Sequence, residues 1–211
     1  MSFDLDEIID SMVSAIDEIP KDDLAYLFAT GKSELEIRNQ VALKWHREQL
    51  FGDVVSREWR RHDLVVMGNN QPTLIVEGKS WIHYDAVSPT KLAKGPKSIR
   101  HEMEKDIAKI RETQKKHPEA LGLISTILFT VDGSQLNARE FASYHVKYGK
   151  YHLQGIKKVG DAHELAGLGR SRLRELIEPY GVMKRRPIQI GNYFRMPVQA
   201  DLHLMAIGSK G

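Results

Sequence analysis

Apolar residues recur along positions 4–19 at intervals of three and four: Leu5, Ile8, Ile9, Met12, Val13 and Ile16. That period marks one face of a helix, and Pro20 ends it. Residues 22–29 repeat the pattern with Leu24, Leu27 and Phe28, closed by Gly31. A third helix is expected over residues 33–50, opened by a capping box of Ser33 and Glu36. The period then falls to two. Residues 54–61 read as a strand with Val55, Arg57, Trp59 and Arg61 on one face, Trp59 in the core. Residues 62–81 read as two strands joined by a tight turn. Gly68, Asn69, Asn70 and Pro72 separate the apolar runs 64–67 and 74–76. Asp63 opens the first strand; Glu77 and Lys79 close the second. Side chains alternate along a strand, so Glu77 and Lys79 share a face with Gly78 between them. A register that sets Asp63 opposite residue 77 or 79 brings all three to one cavity, and one that sets it opposite 78 does not. The turn composition allows either.

Beyond the hairpin, residues 82–96 read as a loop carrying Tyr84, Asp85, Lys91 and Lys94, and long loops near a site are often functional. Ser98 caps a helix to about His117, with Ile99, Met103, Ile107 and Ile110 as its buried stripe. Residues 121–131 form a continuous apolar run, expected at the centre of a sheet. Residues 138–143 suit a short helix. Residues 144–152 alternate aromatic and basic side chains, which fits base stacking with phosphate contact or an exposed hairpin. Residues 186–207 read as two strands about Pro197, with no evident chemistry.

The composition, 41% hydrophobic and 28% charged over 211 residues, is that of a globular chain. The longest apolar run is too short to span a bilayer, and the acidic start lacks the basic region of a signal peptide. A cytoplasmic protein with no membrane partner is therefore expected. The absence of cysteine removes disulfides, thiolate zinc sites and cysteine nucleophiles. The nine histidines show no close ligand spacing with a carboxylate partner. Charge is uneven: residues 1–36 carry −8 and the remainder +11. Residues 91–117 hold nine Lys and Arg against four acids. A basic body points to a polyanionic partner, although a mixed surface or a solvated helix with ion pairs accounts for the same counts. The acidic helices are expected to avoid nucleic acid, and a dimer surface is one use for them.

Asp63, thirteen intervening residues and then Glu77-x-Lys79 at the end of an apolar strand resembles the PD-(D/E)XK nuclease superfamily. The preceding Glu34-x-x-x-Arg38 resembles that family's opening helix, and a basic helix follows the second strand. The resemblance covers residues 33 to 131. His62 stands where the family often has proline. The resemblance implies an α/β fold with a restriction-endonuclease-like core: a central mixed β-sheet flanked by helices, here with extra N-terminal helices. It implies a metal-dependent endonuclease that hydrolyses DNA phosphodiester bonds, of restriction or defence type, leaving 5′-phosphate and 3′-hydroxyl ends. Asp63, Glu77 and Glu34 would bind Mg²⁺, with Mn²⁺ as a substitute, and Lys79 would orient the attacking water or stabilise the transition state. Whether Glu34 or Glu36 faces the metal is open, because capping occupies Glu36 and Arg38 can pair with Glu34. A solvated edge with a cross-strand ion pair remains the plain reading of an isolated Glu-x-Lys.

Candidate DNA contacts are Arg60, Arg61, Lys91, Lys94 and Lys97. Gly167, Gly169 and Arg170 join them on a second resemblance. Residues 165–177 are similar to a helix-hairpin-helix motif, whose Gly-apolar-Gly loop offers backbone N–H groups to a phosphate; a glycine kink between two packed helices is the alternative. The expected organisation is a helical extension (1–31), a nuclease core (32–135) and a C-terminal elaboration of the same domain (136–211). A homodimer suits double-strand cleavage. The competing functions are a non-cleaving DNA-binding or regulatory protein of the same fold, a repair nuclease, and an assembly protein acting through its acidic helices.

Overall fold

The computed structural model describes residues 3–31, 33–88 and 96–207. Lys91 and Lys94 lie outside the described residues. Three helices come first: α1 (Leu5–Asp17), α2 (Lys21–Thr30) and α3 (Ser33–Glu48). Asp4 caps α1 by accepting from Asp6 N. Ser33 is already inside α3, and its hydroxyl meets Ser80 Oγ at 3.3 Å rather than closing a capping box.

Strands β1 (Val54–Arg57), β2 (Leu64–Gly68) and β3 (Gln71–Ile82) form an antiparallel meander. Asn69 and Asn70 make the two-residue turn at φ 52° and 59°, the left-handed pair that suits the twist of a hairpin. The strand expected over 54–61 stops at Arg57. Trp59–Arg61 is instead a 3-10 turn in which Arg60 and Arg61 have positive φ.

The chain then crosses over through α4 (His83–Val87) and the 21-residue α5 (Pro96–Lys116) to β4 (Leu121–Val131), which lies parallel to β3. Three helices follow: α6 (Ala138–Ser143), α7 (Gly149–Val159) and α8 (Ala162–Ile177). The aromatic-basic stretch 144–152 is therefore a turn and the start of α7, not a hairpin. Strands β5 (Gly181–Ile188), β6 (Asn192–Tyr193) and β7 (Met196–Ile207) complete the sheet, in the order β1-β2-β3-β4-β7-β5 with β6 beside β7. Pro197 is the second residue of β7, not a break between two strands, because a first-turn position of a strand tolerates a missing N–H.

The architecture is α/β, with a mixed central sheet between two helical layers. Leu64, Val66, Leu74, Val76, Leu202 and Leu204 face α1–α3. Val65, Ile75, Ile124, Leu128 and Met205 face α5 and α8. β7 joins β4 along ten residue pairs, so the last strand shares one sheet and one core with the first hairpin. The acidic face of α1 is spent inside the molecule: Asp6 pairs with Lys184 and Arg186, and Asp10 with Arg186, all at 2.7–2.9 Å.

Candidate functional site

The hairpin register puts Leu64 opposite Val76, so Asp63 arrives beside Glu77. The shared cavity does not follow. Asp63 precedes β2, and its side chain is free of strand alternation. It turns to the Gly78 side, where Oδ2 accepts from Gly78 N at 2.8 Å and Oδ1 from Arg38 at 3.1 Å. Arg38 also holds Glu58 at 2.9 Å. Glu34, one turn before Arg38, reaches the same place. A Cβ on Gly78 would lie at ordinary contact distance from both, 3.8 Å from Asp63 Oδ2 and 4.0 Å from Glu34 Oε1, so the two carboxylates meet over this glycine. Glu36 stays exposed on the far side of α3.

A cavity of about 30 Å³ lies between α3 and the hairpin, lined by Glu34, Arg38, Asp63, Gly78 and Lys79 among others. It holds one or two water-sized occupants. Outside it, a cleft of about 400 Å³ is lined by Glu34, Arg38, Glu58, Ser80, Lys147 and Tyr148 among others. Burial raises the Glu34 carboxyl above its ordinary range; Lys79 opposes this and the Asp63 charge adds to it. Lys79 pairs with Asp106 of α5 at 2.8 Å. Burial alone would lower its ammonium, but Asp106, with Glu34 and Asp63 behind it, raises it, so Lys79 stays charged.

Glu77 points the other way, into the layer under α5, and is 1% exposed. Its Oε1 takes His62 Nδ1 at 2.5 Å and Lys109 Nζ at 2.6 Å. A carboxylate only accepts, so Nδ1 carries the hydrogen. The other ring nitrogen meets Thr113 Oγ1 at 2.7 Å. Asp63 and Glu34 thus come together on the α3 side of β3; Lys79 lines their cavity but shares the face of Glu77 and pairs with Asp106 of α5, and Glu77 stands apart from the two carboxylates. Among the described residues, no group of three or more His, Asp or Glu is disposed to hold a metal ion.

The expected DNA contacts scatter. Arg60 and Arg61 are exposed beside a second cavity, of about 430 Å³, and Lys97 is exposed at the start of α5. Gly167 and Gly169 do not form a hairpin loop. They lie inside the continuous helix α8, capped by Asp161 through Glu164 N at 2.7 Å. Packing decides this: Leu165, Ala166, Gly169, Leu173 and Leu176 share a buried stripe, and a Cβ on Gly169 would sit 2.9 Å from His83. Both readings of that segment, loop and kink, give way to an unbroken helix. Arg170 is not free for phosphate, since it pairs with Asp201 at 3.1 Å.

Asp201 belongs to a buried polar cluster in a region expected to carry no chemistry. It takes Arg185 at 2.7 and 2.8 Å, Arg170 at 3.1 Å, and lies 3.5 Å from His83 Nε2. Burial would raise its carboxyl, but His83, Arg185 and Arg170 together hold it well below the usual range. His203 and His152 are buried nearby, and burial pushes each imidazole down to about 3. Neither the spacing nor the composition of the chain signals this grouping, because its members come from α4, α7, α8, β5 and β7.

No family model, no curated protein and no solved structure matches the chain.

Proposed function

We propose that the chain is a metal-dependent endonuclease acting on DNA phosphodiester bonds, working at the end of the β2–β3 hairpin. The observation that carries this reading is the meeting of Glu34 and Asp63 at Gly78 in a small cavity that a charged Lys79 also lines, beside an open cleft that Glu34 reaches. The element order also supports it: α3, β1, the Asp63 strand, the Glu77-x-Lys79 strand, a crossover helix and a parallel β4.

The donor set suits Mg²⁺ as a pair of carboxylates. That ion takes hard oxygen ligands, commonly one or two carboxylates, and keeps several waters. Two half-buried carboxylates side by side repel each other, and a cation between them would relieve that repulsion. Glu34 and Asp63 would hold it. The set does not suit a three-carboxylate site with Glu77, whose oxygen is committed to Lys109 and His62. When bound, the ion would supply Lewis acidity toward a phosphoryl oxygen. Arg38 holds Asp63 in its orientation. Lys79 offers positive charge where negative charge builds on the phosphate, and its raised pKa makes it an electrostatic stabiliser rather than a base.

The commitment of Glu77 favours one second reading: a non-cleaving DNA-binding protein of the same architecture. Incubation of supercoiled plasmid with the protein in Mg²⁺, Mn²⁺ or EDTA separates the two. The nuclease reading predicts nicked or linear product that EDTA abolishes. Retained DNA binding with no product in either metal would favour the second.

A further inference from the structure

We infer that the cavity between the Trp59–Arg61 turn and the C-terminal half of α5 is a binding site for a phosphate group. It lies on the side of β3 opposite the Asp63–Glu34 pair, and has a volume of about 430 Å³. Arg60, Arg61, Lys109 and Lys116 line it with Thr113, against the one carboxylate of Glu112.

Three observations point there. The first is the charge. Lys109 is held by Glu77, but Arg61 and Lys116 make no ion pair among the described residues. Arg60 lies over the Trp59 ring at 4.6 Å, which fixes its guanidinium without neutralising it. Uncompensated cations crowded about a concave surface repel one another, and an anion removes that repulsion.

The second is the backbone. Glu58, Arg60 and Arg61 have φ of 62°, 48° and 72°, and none is glycine. Each left-handed residue is disfavoured by roughly 1–2 kcal/mol. A four-residue stretch holding three of them persists where surrounding structure imposes it, commonly at ligand clamps. Here it turns two consecutive arginines toward the same cavity instead of to opposite faces of a strand.

The third is the floor. Glu77, His62 and Thr113 form a hydrogen-bonded row from the core outward, at 2.5 and 2.7 Å. His62 is buried, and both its ring nitrogens are occupied. The row fixes the half-buried Thr113 hydroxyl at the cavity and ties α5 to the start of β2. With Nδ1–H given to Glu77, Nε2 accepts the Thr113 proton, so the row orders the wall of the cavity, and the phosphate donors are the N–H groups of Arg60, Arg61 and Lys116.

His62 and Asp63 are consecutive and turn to opposite sides. A nucleic-acid strand crossing the hairpin end would therefore offer one phosphate to Asp63 and Glu34 and a neighbouring one to Arg61 and Lys116. As a DNA contact this rests on the nuclease reading; as a phosphate site it stands without it.

The test compares wild type, Arg61→Ala/Lys116→Ala and the control Glu36→Gln. Fluorescence anisotropy follows a labelled duplex across a salt series, and ³¹P line broadening follows inorganic phosphate. The substituted side chains are exposed, and circular dichroism melts of the double variant should match wild type. The double variant is expected to bind duplex roughly tenfold more weakly at low salt, with the log–log salt slope shallower by about 1, as the loss of one neutralised phosphate requires. Glu36→Gln, exposed and outside both sites, should keep wild-type binding in both assays. Loss of inorganic phosphate binding with duplex affinity unchanged would identify free phosphate as the ligand and still support the site. Unchanged duplex affinity and unchanged phosphate broadening in the double variant would overturn it. Absence of plasmid cleavage by wild type, with the double variant still impaired in binding, would remove the nuclease reading and leave the phosphate site standing.

Discussion

Acidification should unfold this protein well before its carboxylates are exhausted, because of two buried imidazoles. His152 and His203 are held neutral, with burial pushing each from 6.5 down to about 3. Among the described residues His203 has no hydrogen-bond partner at either ring nitrogen, and His152 accepts from Val131 N at 3.3 Å. In the unfolded chain both titrate normally. Between pH 6.5 and 3 the unfolded state therefore binds more protons than the native one, and stability falls as pH falls. Above pH 6.5 the two states bind alike and the effect vanishes. At pH 5 each histidine removes about 2 kcal/mol relative to pH 7.5, so the pair removes about 4 kcal/mol, a large share of a typical domain's stability. His83, also lowered by burial, acts in the same direction. Glu34 acts in the opposite one, since its raised carboxyl takes up a proton in the native state first. Asp201 enters only below the ordinary Asp range. Urea unfolding at pH 7.5, 6, 5 and 4.5 measures the slope directly, and His203→Leu should flatten it substantially while keeping the fold at pH 7.5. An unfolding free energy that is level from pH 7.5 to 5, or a His203→Leu protein with the wild-type slope, would refute the reasoning.

Three further outcomes follow from specific contacts. Lys109→Met leaves the buried Glu77 carboxylate with His62 alone and should lower stability by about 2–3 kcal/mol in urea unfolding; the Glu77→Gln/Lys109→Met double variant should recover part of that loss. Gly167→Ala meets only the end of Arg170 at 3.7 Å, so it should stabilise α8 by about 0.5–1 kcal/mol in thermal melts. Gly169→Ala meets His83 at 2.9–3.1 Å, including its backbone oxygen, and should destabilise by about 1–3 kcal/mol; equal effects at the two glycines would contradict the continuous helix.

Much of the fold was legible where one period ran unbroken. The stripe of α1, the alternation of β2 and the two asparagines at the hairpin tip each depend on neighbours close in sequence. The register that sets Asp63 beside position 77 was left open by the turn composition, and the direction of its side chain was not legible either. Asp63 stands one residue outside the strand, and Gly78 N and Arg38 determine where its carboxylate goes. The orientation of Glu77 depends on Lys109 and Thr113, reached only by the crossover through α5. The helix-hairpin-helix resemblance misled because Gly-Leu-Gly has the same composition in a loop and in a helix that must approach His83 closely. The buried Asp201 cluster left no local trace, since its ion pairs join residues 31 and 16 positions apart. In the N-terminal region, the acidic charge was legible but not its use inside the molecule, where Asp6 and Asp10 pair α1 with Lys184 and Arg186 of β5.

The most direct test of the central claim is cleavage of supercoiled plasmid in Mg²⁺ by wild type, Asp63→Ala, Glu34→Gln and Lys79→Ala, with Glu36→Gln as the control on the exposed face of α3. The account predicts EDTA-sensitive cleavage by wild type and Glu36→Gln. It predicts loss of at least a hundredfold in each of the other three, whose groups line one cavity. Cleavage that survives Asp63→Ala or Lys79→Ala undiminished would contradict it.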